Sequence, residues 1–353
     1  MSDFIEHNDV NEIVDRISEN AKLFSGKELL ITGGRGFLGR YFIEIFNQLN
    51  ERILDKPMKV VVIDNLISAG KYGAEIPTHK NITFIQHDVI EDFDYRGDFD
   101  YIVHAAGIAS PYYYRAKPLE TLEVAITGTK KLLELANKNN SQFVFFSSSE
   151  IYGDPDPKHV PMLESYRGNV SCQGPRACYD ESKRVGETLC YIFHEYNGVH
   201  TNTIRPFNVY GPSMQENDYR VLPNFASRIK SGLPLNVYGT GNQTRTFCYL
   251  TDAMVGFLLV ILKGVPGEAY NIGNPIPEIS VSDLIDITEK VIGDSLERNV
   301  IEYPDSYPAD EPMRRCPDIT KASLQLEYEP KVTLEEGLAR FYAWTDKNYK
   351  GHK

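Results

Sequence analysis

Apolar positions follow different rules in different stretches of the chain. At the start, Val10, Ile13, Val14 and Ile17 recur at i, i+3, i+4 and i+7, which predicts an amphipathic helix within residues 8–25. Asp9 and Glu12 have the spacing of a capping box at its beginning. We read this helix as packed ahead of the main domain rather than held out for a partner. Six apolar runs follow, at 28–33, 59–65, 82–88, 101–107, 142–149 and 201–208. They are rich in β-branched and aromatic residues and do not alternate with polar ones, as strands buried on both faces should read. Helix-length segments separate them. One places Phe42, Ile45, Phe46 and Leu49 on a single face; others span 118–138 and 179–197, the last closed by Asn197-Gly198.

This alternation predicts an α/β fold, a Rossmann-like doubly wound parallel sheet with right-handed crossovers. After about residue 208 turn signals multiply, in "YGPS", "SGLP", "YGTGNQ", "GNPIPE" and "YPDSYPADEP". Those short mixed elements predict a smaller α/β lobe. The expected organisation is an N-terminal helix in 1–26, a dinucleotide-binding domain in 27–208 and a predominantly substrate-binding lobe in 209–353.

Composition narrows the function. The 353 residues are 42% hydrophobic and 24% charged, with formal net charge -12. So acidic a chain is a poor partner for nucleic acid or an anionic membrane, although a few local arginines still suffice for a small anion. The five cysteines are odd in number and include no C-x-x-C pair, so neither a disulfide framework nor a metal site is expected. The first residues lack a signal-peptide pattern, and the longest apolar run, "GFLLVILKGV", is too short to cross a membrane. These features predict a cytoplasmic protein with reduced thiols.

Two constellations carry chemistry. Gly33, Gly36 and Gly39 stand between the first strand and the next helix, where glycine lets a backbone turn tightly against a pyrophosphate. Asp64 ends the second strand, where a carboxylate accepts ribose hydroxyls and repels a 2'-phosphate, so NAD is favoured over NADP. Asp88, ending the third strand, is a candidate for the adenine side. Further on, Tyr179 and Lys183 lie four apart near a helix start and share a face. A lysine ammonium beside a phenol, with a cationic nicotinamide near, is expected to lower the phenol's pKa. Between these, "VFFSSSEIYGD" ends an apolar strand in three serines and Glu150, more polar groups than a turn needs.

Together the glycines, Asp64, "HAAG", the serine-rich strand end and Tyr179/Lys183 resemble the extended short-chain dehydrogenase/reductase family, over residues 27 to about 345. That family includes nucleotide-sugar epimerases, 4,6-dehydratases and decarboxylases. "SSEIYGDP", "GPRACYDESKRVGETLCY", "RPFNVYGPSM", "VYGTGNQTRTFCYLTD" and "RRCPDI" are similar to its decarboxylating branch, which acts on UDP-glucuronate. The helix before residue 26 departs from the pattern and leaves the exact substrate open.

The resemblance implies bound NAD, with Phe37, Leu38, Asn65, Val89, Ala105, Ala106 and Gly107 joining the cofactor contacts beside Tyr179 and Lys183. It implies Tyr179 as base toward a C4 hydroxyl, Lys183 as its partner, and Ser148 on the C4 oxygen. Glu150 with Ser149 is expected to work near C5 and C6, on a hydroxyl or a water. Arg315 is expected at the sugar, with Arg314 a lesser substitute. Ser110, Arg176, Asn208, Arg220 and Arg245 complete the expected substrate contacts.

At the strand tip the 4,6-dehydratases of the family carry Thr-Asp-Glu, and the simple 4-epimerases lack the Glu. Ser148-Ser149-Glu150 is similar to the decarboxylases, for which no leaving hydroxyl needs an acid. A 4-epimerase, a 4-dehydrogenase or a 4,6-dehydratase on the same scaffold is the alternative. A non-catalytic dinucleotide sensor has no need of Tyr179 and Lys183. His104 and His194 are read as non-catalytic, and Tyr112 to Tyr114 as core or as a wall of the sugar site. By resemblance, the segments 119–138 and 179–197 form a homodimer contact.

Overall fold

The computed structural model describes residues 4–74, 79–218, 220–302 and 312–351; the turn-rich run 303–311 lies outside them. Seven parallel strands form the central sheet: β1 (Glu28–Thr32), β2 (Lys59–Asp64), β3 (Ile82–Gln86), β4 (Tyr101–His104), β5 (Gln142–Phe146), β6 (Thr201–Pro206) and β7 (Ala269–Ile272). Their order is β7-β6-β5-β4-β1-β2-β3. The chain winds outward from β1 in one direction and from β4 in the other, so a crevice opens at the carboxyl ends of these two neighbours. Each of the six predicted strands ends one to three residues early. The polar tips counted as strand are the loops that bear the site.

The seventh strand was hidden in the sequence. It is four residues long, too short for a period to show, and glycines flank it at 267 and 273. Its polar member, Asn271, is buried but fully engaged. Its amide donates to the carbonyls of Met162 (2.8 Å) and Asp318 (3.1 Å), and its oxygen accepts the Tyr152 hydroxyl (2.8 Å).

The main helices are α1 (His7–Ala21), α2 (Phe37–Arg52), α3 (Thr129–Asn139), α4 (Ala177–Asn197), α5 (Val221–Lys230), α6 (Leu250–Lys263), α7 (Val281–Ile292) and α8 (Leu334–Asn348). Segment Pro118–Glu123 and a π-helical turn, Val124–Gly128, run directly into α3. Helix α4 stops at Gly198 in the left-handed conformation, whose N–H bonds the His194 carbonyl, as the sequence predicts. Helix α1 packs its stripe, Val10, Ile13, Val14 and Ile17, against α2 and α6 with essentially no exposure. That cover explains why α2 and α6 are buried nearly all round. No helix among the described residues is long and apolar enough to cross a membrane.

The capping box expected at α1 does not form. Glu6 occupies the N-cap position and makes no side-chain cap. Asp9 instead accepts the Tyr249 hydroxyl (2.7 Å) and an Arg340 N–H (3.2 Å). Glu12 accepts Arg340 (2.6 Å) and the Thr251 hydroxyl (2.9 Å), and Arg16 reaches Asp252 (2.7 Å). Asp9 is used across the molecule, and Glu12 both across it and along its own helix, where it also accepts Arg16 (3.3 Å).

Beyond β6, a parallel pair (Leu235–Tyr238 with Arg298–Ile301) and a small sheet build the lobe. In that sheet Thr244–Arg245 lies between Ile279–Ser280 and Arg314–Arg315. The register puts Arg245 beside Arg315.

Candidate active site

The first βα turn is shaped by its glycines. Gly33 has φ +73°, and a Cβ there would lie 2.6 Å from the Ala106 nitrogen. A Cβ on Gly39 would overlap the Gly33 carbonyl, so only glycine lets α2 approach the turn this closely. Gly36 is the N-cap of α2, and Phe37 and Leu38 open that helix and line the cleft beyond. Asp64 accepts the backbone N–H of Arg35 (2.8 Å) and of Leu66 (2.7 Å), which fixes its carboxylate beside the turn. Burial pushes its pKa up, against those hydrogen bonds and Arg35. Asn65 donates to Asp88 (2.8 Å), and Val89 lies over Gly128. Across the crevice, Thr32 links β1 to β4: its hydroxyl donates to His104 Nδ1 (2.7 Å) and accepts the Ala106 N–H (3.2 Å). Burial holds His104 neutral, down to about 3, and its Nε2 faces the Val124 carbonyl. A narrow cradle, a helix N-terminus and a fixed carboxylate fit a dinucleotide.

Next to this crevice lies a cleft of about 820 Å³. Its floor is the tip of β5 and the first turns of α4. Ser147, Ser148, Ser149, Glu150, Tyr179 and Lys183 all line it, together with Ala105 and Gly107. Ser148 caps the 3-10 turn Ser149–Tyr152 by accepting the Glu150 N–H (3.2 Å), and its hydroxyl lies near enough to the Tyr179 phenol to pull that group's pKa down. Tyr114 stacks on the Tyr179 ring at 5.4 Å, which makes that member of the tyrosine cluster a wall of the site. Lys183 Nζ donates to the Phe146 carbonyl (2.8 Å) and sits 5.7 Å from the Tyr179 ring centroid.

The expected lowering of the phenol is not what the protein groups produce. Burial dominates and pushes Tyr179 up to about 12, with Ser148 and Arg220 pulling it back. Burial also pushes Lys183 down to about 8. Both groups lose hydration in the same dry corner, and that outweighs their proximity.

Glu150 is clamped by two guanidiniums. Arg176, just before α4, and Arg315, from the lobe (2.7 Å), both donate to its Oε2. Arg245 lines the same cleft, braced by the carbonyls of Thr244 (2.8 Å), Pro312 (2.5 Å) and Met313 (3.2 Å). Asn208 lines it too, its amide donating to the Thr246 carbonyl (2.8 Å). Arg220 lies at the cleft with its side chain 43% exposed and forks onto Asp218 (2.6 Å). Ser110 is different. Its neighbours Ala109 and Pro111 line the cleft, but its hydroxyl is buried away and makes no hydrogen bond among the described residues. Arg314 pairs with Glu278 (2.7 Å), and His194 bonds the Val199 carbonyl, both outside the cleft lining.

The structure adds residues that sequence reasoning passed over. Arg115, Tyr238 and Gln243 line the cleft. Asp180 stands behind Arg176, 3.5 Å from its Nε. Its signal was in plain view, inside the Tyr-x-x-x-Lys stretch and four residues after Arg176, but the Glu150 that shares this arginine joins it only once β5 and α4 meet.

Fold and site define an NAD-dependent enzyme that modifies nucleotide sugars. The chain belongs to the NAD dependent epimerase/dehydratase family, whose model matches residues 29–273. It is 39% identical over 313 residues to UDP-glucuronic acid decarboxylase 1 of Xenopus tropicalis, covering 88% of this chain and 70% of that one. It is 38% identical over 321 residues to UDP-glucuronic acid decarboxylase 6 of Arabidopsis thaliana, covering 90% and 89%. Among solved structures it is similar to UDP-glucuronic acid 4-epimerase from Bacillus cereus in complex with UDP-glucuronic acid and NAD. That match has TM-score 0.77 and 26% identity, and covers 91% of this chain and 100% of the other. It is similar also to the dTDP-glucose 4,6-dehydratase DesIV from Streptomyces venezuelae, with TM-score 0.77, 25% identity and coverage of 91% and 97%.

Proposed function

We propose that this protein decarboxylates a nucleotide-linked uronic acid, with UDP-glucuronate as the first candidate. The observation that carries the reading is Glu150, held by Arg176 and Arg315 beside Ser148 and Tyr179, with a serine where an acid for a leaving hydroxyl would stand. The decarboxylase relatives support it.

In this reading Tyr179 takes the proton of the C4 hydroxyl, and Ser148 holds the C4 oxygen. NAD, when bound, supplies the hydride acceptor at C4 and the donor that restores it. A ketone at C4 lies β to the C6 carboxylate, so carbon dioxide departs with its bonding electrons flowing into that ketone. Ser149 hydrogen-bonds a carboxylate without repelling it, and Arg315 offers its fork to the same group. Glu150 orients the group that returns a proton to C5, help worth typically ~10²–10⁴ in rate. Lys183, Asp64, Asn65, Asp88, Val89 and Ala105 to Gly107 hold the dinucleotide with the glycine turn. Asn208, Arg220 and Arg245 face the nucleotide diphosphate.

Residues 27–208 then act chiefly on the dinucleotide and the reacting carbon, and the lobe beyond on the nucleotide sugar. The five free thiols suit a reducing cytoplasm. We also infer a homodimer. Leu119, Tyr191 and Tyr196 are 72%, 60% and 75% exposed on two neighbouring helical segments, an apolar face that a second copy would cover. Light scattering on the pure protein tests this.

The test of function is mass spectrometry of the nucleotide sugar after incubation with UDP-glucuronate and NAD. A UDP-pentose with release of carbon dioxide supports the reading, and an unchanged mass overturns it. A 4-epimerase acting on the same uronate is the second reading, favoured by the likeness to the Bacillus cereus enzyme. It would give an isomer of equal mass and no carbon dioxide.

A further inference from the structure

Asp180 lies in the first turn of α4, one residue after Tyr179, and is 7% exposed. Its Oδ2 is 3.5 Å from Arg176 Nε, while its Oδ1 is buried and makes no hydrogen bond among the described residues. It does not line the cleft. The same Arg176 donates to Glu150, whose Oε2 also takes Arg315. Two acids and two guanidiniums therefore share one dry cluster, whose formal charge is zero when both acids are ionised. The groups that face Asp180 come from each neighbouring element. They are Glu150 from the turn after β5, Arg176 from the segment before α4, Arg315 from the lobe, and the phenol of adjacent Tyr179.

We propose that Asp180 is a positioning residue that sets how strongly this site attracts a sugar carboxylate, by sharing Arg176 with Glu150. The inference rests on the uronate reading above. Burial and the like charge of Glu150 push Asp180 up to about 7, with Arg176 and Arg315 pulling the other way. With its proton on, the cluster carries one net positive charge and welcomes an anionic sugar. With its proton off, the cluster is neutral and the attraction weakens. One charge about 10 Å from the ligand, at an effective dielectric near 20, changes affinity on the order of tenfold. A sugar without a carboxylate feels almost none of this. A purely structural acid would affect both kinds of sugar alike.

The test is binding of UDP-glucuronate and of UDP-xylose to the protein loaded with NADH, which cannot oxidise C4, between pH 5.5 and 8.5. The two share the nucleotide, so their affinity ratio cancels its titration. In the wild type the ratio should favour the uronate and fall about tenfold as pH rises through 7. In Asp180→Asn it should stay flat, near the low-pH value. A wild-type ratio that favours the uronate but does not move with pH overturns the role of Asp180 and leaves the uronate reading standing. A fall that survives in Asp180→Asn overturns it equally. A ratio at or below one throughout removes the uronate reading, and the inference with it. The wild-type measurement decides by itself should the variant fold poorly.

Discussion

Replacing Asp9 with Asn should stabilise the protein, and more so as pH rises. Asp9 is 1% exposed beneath Tyr249 and Arg340. Burial pushes its carboxyl up to about 7 from 3.8, against the Tyr249 hydrogen bond and the Arg340 charge. An acid whose folded pKa exceeds its unfolded one holds its proton more tightly when folded. That stabilisation is complete below the unfolded pKa and is lost as pH rises through about 7. Asparagine still accepts the Tyr249 hydroxyl but has no proton to give up. Between pH 5 and 7 the advantage of Asp9→Asn should grow by about 1.4 kcal/mol per pH unit, roughly 3 kcal/mol in all, and then level off. Urea unfolding followed by the fluorescence of Trp344, the only tryptophan and a buried one, measures it. A difference that ignores pH, or a variant less stable than wild type at pH 8.5, refutes the reasoning. The ionised pair with Arg340 would then stabilise more than burial costs.

Gly39→Ala should lose NAD binding and about 1–3 kcal/mol or more of stability, because its methyl would meet the Gly33 carbonyl; thermal unfolding with and without NAD reports both. Tyr179→Phe should slow C4 oxidation ~10²–10⁴-fold, seen as NADH absorbance in single turnovers, with nucleotide affinity nearly unchanged. Glu150→Gln should keep C4 oxidation and release of carbon dioxide yet slow return of the proton to C5, and with it the closing reduction, by ~10² or more, so that a decarboxylated keto sugar accumulates in the mass spectrum. Because Lys183 is pushed down to about 8, an alkaline fall in NAD-dependent turnover is expected near that pH, and Lys183→Arg should move it upward.

What the sequence disclosed is what local chemistry dictates. The glycine spacing, Asp64 at a strand end and the Tyr179/Lys183 face are recognisable within a few residues of chain, and the apolar runs needed only their composition. Asp9 misled because its partners stand 240 and 331 positions off, and a capping spacing is satisfied locally whether or not it is used. Asp180 pairs locally with Arg176, four residues before it, but the Glu150 and Arg315 that give the pair its place converge on it only through the fold. The upward push that burial gives the phenol could not be read from the chain, because the dryness of a corner belongs to the whole fold rather than to any pair of residues.

The late seventh strand bears on how this molecule can be divided. Every side chain of β6 from Thr201 to Arg205 is buried, and its outer neighbour β7 arrives only at Ala269. A fragment cut near residue 208, where composition suggests a seam, would leave β6 an open edge with a row of unpaired backbone groups, ready to pair with another chain. It would also strip α6 from beneath α1. Residues 27–208 are therefore not a transferable module. Shuffling them onto another substrate lobe requires carrying α6 and β7 along, and a clone ending at that seam should be recovered as aggregate.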